Sequence, residues 1–401
     1  MTAMDRWQAA ASITAFASIP FFPSFITLTN VAFPGISIVP LPLAVGLLCA
    51  MLVLAMLAAA GIASAPRYTP ALLRPMLVWL GVCVLSLALG LNARDGSVFV
   101  VIFALVILWH AQIVRFYERP GVARAIWWSY LLSGVVASAG AIAMVVLRTP
   151  ASLYSIANGR AVGTFVLPGE LAGYLLFLIP ISFALARTAE TRALRAVAWI
   201  ACGCGLIAMI LTFSRTGWVG LAAGIGFLVA VRSRKGGLLR AGAIVAAALA
   251  IVLMLFNEHH NPSENYTRLS IWQAALGVID RFPLTGVGPF GFSKIYPLVR
   301  MPDGDATAFH AHSLYLTFFA ELGLAGLLAF GWTLVAFARE FFDRVRGASQ
   351  ETTLLPLAIA AGVAGSLVQG LIDTVSVVIF GLLLPMLALA LATARARSVR
   401  L

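Results

Sequence analysis

Three arginines in this chain stand at the edges of apolar stretches, where a guanidinium is costly unless it is paired or faces water. Arg160 lies in NGRAVGTF, Arg215 in LTFSRTGW and Arg268 in NYTRLSIW. Guanidinium groups keep their charge and match phosphate oxygens with two parallel hydrogen bonds. Several together could hold a diphosphate and stabilise the charge that grows on it as it leaves, in place of a divalent cation. The structural alternative for each is an ion-paired arginine, or one whose charge reaches the edge of the apolar layer.

Two histidines occur in His310-Ala311-His312-Ser313, just before a long apolar run. A histidine can accept a proton near neutral pH, and His312 is the candidate base. His310 is a secondary candidate, and so are Ser313, whose hydroxyl both donates and accepts, and Glu170, which could pair with an arginine or position a sugar. For His312 the alternative is a structural histidine held by hydrogen bonds.

The remaining acidic residues favour other roles. Glu321 and Asp373 lie at the edges of apolar runs and are candidates for pairing with the arginines. Asp303-Gly304-Asp305 is similar to an acidic pair that holds a metal–diphosphate, but the pattern is more typical of a solvated turn. The two histidines have no further ligand at a recognised spacing, and the cysteines fall inside apolar runs. No metal site is therefore predicted.

The elements that must position these residues are apolar helices. The 401-residue chain is 61% hydrophobic and only 10% charged, whereas soluble domains carry about 25% charged residues. A mean hydropathy of +0.99 agrees with this composition. Runs of about 20 apolar residues, enough to cross a hydrocarbon layer of about 30 Å, recur throughout. We predict an all-α polytopic membrane protein, residues 1–401 forming one domain, with about twelve spans at 7–28, 40–63, 75–91, 97–114, 125–147, 166–186, 196–213, 217–231, 239–256, 313–338, 354–371 and 375–394.

The net charge of +12 could suggest a nucleic-acid partner, but the position of the basic residues does not. Most of the 27 Lys and Arg residues fall in short loops on one side of the predicted spans. The positive-inside rule then puts both termini in the cytoplasm. No nucleic-acid partner is predicted, and the lipid bilayer is the expected surroundings.

The longest polar segment, residues 257–312, is predicted on the opposite side, between the ninth and tenth spans. Within it, 267–282 places Leu269, Trp272, Ala275, Leu276 and Ile279 at near-helical spacing, which indicates an amphipathic helix along the membrane surface. The following PLTGVGPFGF is rich in turn-forming residues. We expect 257–312 to form a helical cap over the spans.

Four blocks of the sequence resemble the O-antigen ligase/polymerase superfamily. They are GRAVGTFVLPGELAGYLLFLIP, LTFSRTGWVG, YTRLSIWQAALGVIDRFPLTGVGPFGF and HAHSLYLTFFAELGLAGLL, and they occur in the family's order. Together they cover roughly residues 158–328. The resemblance implies a glycosyltransferase of the bacterial inner membrane, with a twelve-helix bundle, a helical periplasmic cap and an active site on the periplasmic side.

In the ligase branch of that family, the enzyme moves an O-polysaccharide from undecaprenyl diphosphate to the terminal sugar of lipid A–core, without metal, nucleotide or other cofactor. By motif, the family's arginines fall on Arg215 and Arg268 and its histidine on His312, while Arg160 matches the loop block. The chain departs from the family at Ser313, where members often have Asn, and near Glu170. The resemblance thus implies that His312 takes a proton from the acceptor hydroxyl, the arginines hold the diphosphate, and the reaction inverts the anomeric centre.

Two other functions remain open. An O-antigen polymerase uses the same donor but extends another undecaprenyl-linked chain, and such enzymes often have two large external loops where this chain has one. A transporter of lipid-linked sugars would also need arginines, but distributed through spans of both halves. The single large loop favours the ligase over the polymerase, and the gathering of the external arginines at one face disfavours the transporter.

Overall fold

The computed structural model describes residues 3–21, 71–119, 121–165, 167–233, 236–255, 262–302, 304, 308–346, 348–373 and 383–396. Every regular element within these ranges is helical. Besides a short 3-10 turn at Ile19–Phe21, the helices are α1 Ala3–Ser18, α2 Leu73–Leu89, α3 Ala93–Phe116, α4 Val122–Leu147, α5 Ala151–Ile156, α6 Pro168–Thr188, α7 Arg192–Leu211, α8 Arg215–Arg232, α9 Gly237–Leu255, α10 Pro262–Arg281, α11 Phe292–Val299, α12 Leu314–Val345, α13 Gln350–Gln369 and α14 Leu384–Arg395.

Six of these helices are long and apolar enough to cross a membrane, namely α3, α4, α6, α7, α12 and most of α13. Shorter apolar helices occur at Leu73–Leu89, Gly237–Leu249 and Leu384–Arg395. The all-helical, multi-pass prediction is therefore confirmed, whereas the count of twelve spans stays a prediction. The predicted span 40–63 lies outside the described residues, as does the first part of 375–394.

Two helices form the centre of the bundle. Helix α6 buries residues on all sides, and every residue of α14 from Leu384 to Ala394 is buried. A helix that is apolar all round belongs inside a protein, whereas an amphipathic one belongs at its surface. Helix α6 packs against α7, α8 and α13, and α14 against α3, α12 and α13.

Helices α8 and α13 approach closely through small residues. A Cβ at Gly220 would lie 2.8 Å from the carbonyl oxygen of Gly365, and a Cβ at Gly224 would lie 2.7 Å from that of Ala361. Small residues let helix backbones meet in this way within membranes. Because the numbering runs in opposite directions, the helices are antiparallel, and Arg215 at the start of α8 lies level with Gly370 at the end of α13.

Helix α12 is broken at Gly323, whose backbone is left-handed (φ 65°, ψ −170°). The loop of residues 283–291, called here the glycine loop, fills the break. Val287 N–H donates to the Ala320 carbonyl at 3.0 Å and Gly288 N–H to that of Glu321 at 2.9 Å. In return, Leu324 N–H donates to the carbonyl of Pro283 at 2.8 Å. The hydrogen bonds that the helix loses at the break are thus remade with the loop.

The glycine loop is also bound to helix α2. Ser86 Oγ donates to the Thr285 carbonyl at 2.6 Å, with the Glu321 carbonyl also within reach at 2.8 Å. Gly90 and Gly288 meet backbone to backbone, since a Cβ at Gly90 would lie 2.6 Å from the Gly288 Cα. The loop is therefore enclosed between α2 and α12.

The segment predicted as a cap contains α10 and α11, which share a small core with the start of α12. Its residues are Ile271, Ala274, Ala275, Val278, Ile279, Val287, Phe292, Ile295, Tyr296, Ala308, Ala311 and Ala320. The helix predicted at 267–282 is present within α10. Ala275 and Ile279 of the predicted apolar face are buried in this core, whereas Leu269 and Leu276 are exposed. The position of the helix along the membrane surface stays a prediction.

Replacing Gly323 by Ala should destabilise the protein. A Cβ at Gly323 would overlap the backbone of Leu284 and Thr285, and the residue has a positive φ, so the cost should be at least about 1–3 kcal/mol. Thermal unfolding in detergent measures it. Gly331→Ala in the same helix is the control, because a Cβ at Gly331 would meet nothing within 4 Å. Equal melting temperatures for the two variants would contradict this account of the break.

Candidate active site

Four helix ends meet at one end of the bundle, called here the site end. Helices α6, α8 and α12 begin there and α13 ends there. The Gln369 side-chain amide donates to the Gly169 carbonyl at 2.9 Å, and Leu314 N–H donates to the Gly370 carbonyl at 2.8 Å. Since helix N-termini carry partial positive charge, three of these ends favour an anion nearby.

Arg215 is the first residue of α8 and is partly buried. The Ser214 hydroxyl caps this helix by accepting from Gly217 N–H at 3.2 Å. Because Arg215 lies level with Gly370, which is bonded to Leu314, its backbone is close to the start of α12. Arg215 thus belongs to the site end, where an ionised side chain costs less than in the middle of a span.

Arg160 lies beside the turn between α7 and α8. Its Nε donates to the Thr212 carbonyl at 2.9 Å, and Nη2 is 3.5 Å from that of Phe213. The neighbouring Ala161 N–H donates to the Leu211 carbonyl at 2.8 Å. Carbonyls at a helix C-terminus attract a cation. Arg160 therefore stabilises the turn that carries Arg215, in addition to bringing a positive charge near it.

Helix α10, which carries Arg268, contacts the segment that contains His312. Trp272, one helical turn after Arg268 and on the same face, donates its Nε1–H to the His312 carbonyl at 3.4 Å. Arg268 lies close enough to His310 to disfavour a positive charge on that ring. The elements that carry Arg215, Arg268 and His312 thus converge at the site end.

His310 is buried, with 4% of its surface exposed, and supports the backbone of His312. Its Nδ1 accepts from His312 N–H at 3.0 Å, and its ring lies 4.3 Å from both the His312 and the Phe309 rings, centroid to centroid. Burial lowers the pKa of His310 well below its ordinary value, and the nearby His312 and Arg268 lower it further. The ring is therefore neutral with Nδ1 as an acceptor, which leaves the proton on Nε2.

Two secondary candidates occupy the starts of helices. Glu170 Oε2 accepts from Leu167 N–H at 3.3 Å at the start of α6. Ser313 is the residue before α12, is 3% exposed, and has its Oγ 3.5 Å from the Gly370 carbonyl. Both side chains contribute to the ends of the helices that form the site.

Two other acidic candidates lie against backbone groups. Glu321, 7% exposed, accepts hydrogen bonds from the backbone of Phe290 and Phe292 at the start of α11. Asp373 places its carboxylate against Gly169 at the start of α6. Asp303 and Asp305 lie outside the described residues.

Sequence reasoning assigned no site role to Trp272. The signal that could have found it is its spacing, since a residue four positions after Arg268 must share that arginine's helix face. The contact between Nδ1 of His310 and the backbone of His312 was not predicted either.

The apolar helices define a multi-pass membrane protein, and the elements that carry Arg160, Arg215, Arg268 and His312 converge at one end of it. Residues 196–331 match the family model described as O-antigen ligase. Over that stretch the chain is similar to the O-antigen ligase family, which confirms the expected resemblance there, and the match includes Arg215, Arg268 and His312. Comparison with curated proteins finds no match.

The lowered pKa of His310 predicts a loss of stability in mild acid. Above pH ~6.5 the residue is neutral whether the protein is folded or unfolded. Below it, the unfolded chain takes a proton that the folded protein excludes, so the free energy of unfolding falls by up to about 1.4 kcal/mol per pH unit. His310→Asn removes this component, so its melting temperature in detergent should fall less than the wild type's between pH 7.5 and 5.5. Parallel falls in the two proteins would contradict the prediction.

Proposed function

We propose that this protein is an O-antigen ligase, which transfers O-polysaccharide from undecaprenyl diphosphate to the terminal sugar of lipid A–core. One observation carries the proposal. The stretch that matches the family contains Arg215, Arg268 and His312, and the fold brings the elements bearing them to one end of the bundle.

In the proposed reaction, His312 accepts the proton of an acceptor hydroxyl, whose oxygen attacks the anomeric carbon of the donor. The bond from that carbon to the diphosphate oxygen breaks, and undecaprenyl diphosphate leaves with the electron pair. Arg215 and Arg268 bind the diphosphate and stabilise its growing negative charge, which the N-termini of α6, α8 and α12 also favour. A direct displacement inverts the configuration, and the mechanism requires neither metal nor nucleotide.

Arg160 has a more limited part in this scheme. Its guanidinium is bonded to the carbonyls that end α7, so it acts through its charge and by holding the turn before Arg215. His310 is neutral with Nδ1 engaged, and it supports the proposed base rather than replacing it.

We place the protein in the bacterial inner membrane, with both termini cytoplasmic and the site end periplasmic. The distribution of arginines at the opposite helix ends supports this orientation under the positive-inside rule. They are Arg115, Arg187, Arg192, Arg195, Arg232, Arg344 and Arg395. Residues 257–312 would then form the periplasmic cap over a site that receives two lipid-bound substrates from the bilayer.

A polymerase is the nearest alternative, because it would use the same donor, diphosphate-binding arginines and base. A transporter of lipid-linked sugars is the second alternative. Against the transporter, the arginines of the described apolar helices lie within two turns of a helix end, whereas a path through the bilayer would need them along it.

The identity of the product separates these functions. Purified protein in liposomes, given undecaprenyl-diphosphate-linked O-polysaccharide and lipid A–core, should form a covalent polysaccharide–lipid A–core product. The labelled polysaccharide would be followed by gel mobility, with donor alone as control. Longer undecaprenyl-linked chains made without lipid A–core would establish a polymerase instead. Movement of intact donor between leaflets without a new glycosidic bond would establish a transporter.

Arg268→Lys and His312→Ala should affect different steps. Lysine cannot form the bidentate contact, so Arg268→Lys should weaken donor binding about 10–100-fold. His312→Ala should leave donor binding within about twofold but lower turnover about 10²–10⁴-fold, the usual contribution of a general base. Donor binding is measured by titration and turnover by the transfer assay.

Arg281→Lys is the matched control, because Arg281 ends the same helix and is exposed. It should behave as wild type. Unchanged binding and transfer in Arg268→Lys would remove Arg268 from the site, and weakened donor binding in His312→Ala would reassign His312 to the diphosphate.

A further inference from the structure

Both peptide groups of His312 are held by side chains. We propose that His310 and Trp272 are positioning residues, which fix the backbone of His312 so that its imidazole is presented to the acceptor hydroxyl. The inference rests on the role proposed for His312 as the base, and it assigns functions to two residues that do not themselves touch the substrate.

The contact from His310 is the stronger of the two. Nδ1 accepts from His312 N–H at 3.0 Å, an ordinary hydrogen-bond distance, and the ring is enclosed between Phe309 and His312. A side-chain acceptor bonded to the N–H two residues later is the arrangement that Asn and Asp form in Asx turns. The functional feature is therefore the acceptor at Nδ1, which an asparagine carbonyl can reproduce.

The contact from Trp272 holds the other side of His312. The indole Nε1–H lies 3.4 Å from the His312 carbonyl, at the long end of hydrogen-bond distances. Trp272 follows Arg268 by one turn of α10. The helix that carries the proposed diphosphate ligand is thus bonded to the residue that carries the base, so the two groups keep a fixed relation.

The backbone conformation of His312 explains why such support is needed. His312 has φ of 46°, in the left-handed region that residues other than glycine seldom adopt. On one side, Ala311 N–H donates to Thr317 Oγ1 at 3.2 Å, and on the other Leu314 N–H donates to Gly370. His312 therefore lies where the chain turns between two fixed points, and relaxing to a common backbone conformation would redirect its Cβ and imidazole.

The test compares His310→Phe, His310→Asn and Trp272→Phe in the transfer assay. His310→Phe keeps a ring but loses the acceptor, and kcat should fall at least about tenfold, since misplacing a catalytic group by ~1 Å can cost about 100-fold. KM for donor and acceptor should stay within about twofold. His310→Asn should restore most of kcat. Trp272→Phe should lower kcat by a smaller factor, about 2–5-fold, because its hydrogen bond is long.

Trp199→Phe is the matched control, since Trp199 lies half-exposed on α7. It should retain the wild-type kcat. If His310→Phe does not accumulate in membranes, Trp272→Phe provides the test, because it removes the N–H donor while a partly buried aromatic ring remains. An Asn variant as impaired as the Phe variant, or a fall in kcat matched by a rise in donor KM, would overturn the proposal.

A second measurement does not depend on activity. In protein labelled with ¹³C-histidine, the His312 ring resonance, assigned by its loss in His312→Ala, should shift or broaden in His310→Phe and Trp272→Phe but not in His310→Asn. If the wild-type protein performs no transfer, the proposed function is wrong. The spectrum then still tests whether His310 and Trp272 fix the position of the His312 ring. An unchanged His312 resonance in both Phe variants would overturn it.

Discussion

The exchange of backbone hydrogen bonds between the glycine loop and the break in α12 is the constraint on which the site depends. A helix needs about 20 residues to cross the hydrocarbon layer. In α12, the roughly 20 residues before the charged Arg339 reach back to the turn before Gly323, so the break lies at a depth within that layer. Unpaired backbone groups at that depth cost several kcal/mol each. The break is tolerated because Val287, Gly288 and Leu324 remake its hydrogen bonds, and glycines allow the two backbones to approach.

This exchange ties the segment of α10 and α11 to the bundle. The glycine loop connects α10 to α11, so its attachment to α2 and α12 fixes where both helices lie. The Glu321 carboxyl group adds to the attachment, because it accepts from the backbone of Phe290 and Phe292 at the start of α11. Arg268 and Trp272 are thereby held against the residues that precede α12. Arg215 is set independently, by the small residues through which α8 meets α13.

The residues that the fold brings to the site end stand out in the sequence, because charged side chains are unusual beside apolar runs. Arginines there favoured an anion site and the histidines before α12 favoured a base, and both roles stay predictions. The roles of supporting residues were less predictable. Glu321 was a candidate partner for an arginine but binds backbone N–H groups, and Arg160 was a candidate diphosphate ligand but bonds to carbonyls at the end of α7. Such assignments depend on which backbone groups lack partners, and a sequence does not display this.

The sequence by itself determined the all-helical, membrane-spanning class and the chemical groups available, because hydrophobic periodicity and charge are local properties. Only the tertiary structure decided the break at Gly323, the position of Arg215 next to Gly370 along the bundle, and the hydrogen bonds that join His310 and Trp272 to His312. The contact between Ser86 and Thr285 joins residues 199 positions apart. Hydrogen bonds between such distant residues form where the packed helices would otherwise leave backbone groups unpaired. The local sequence pattern does not indicate which groups these are.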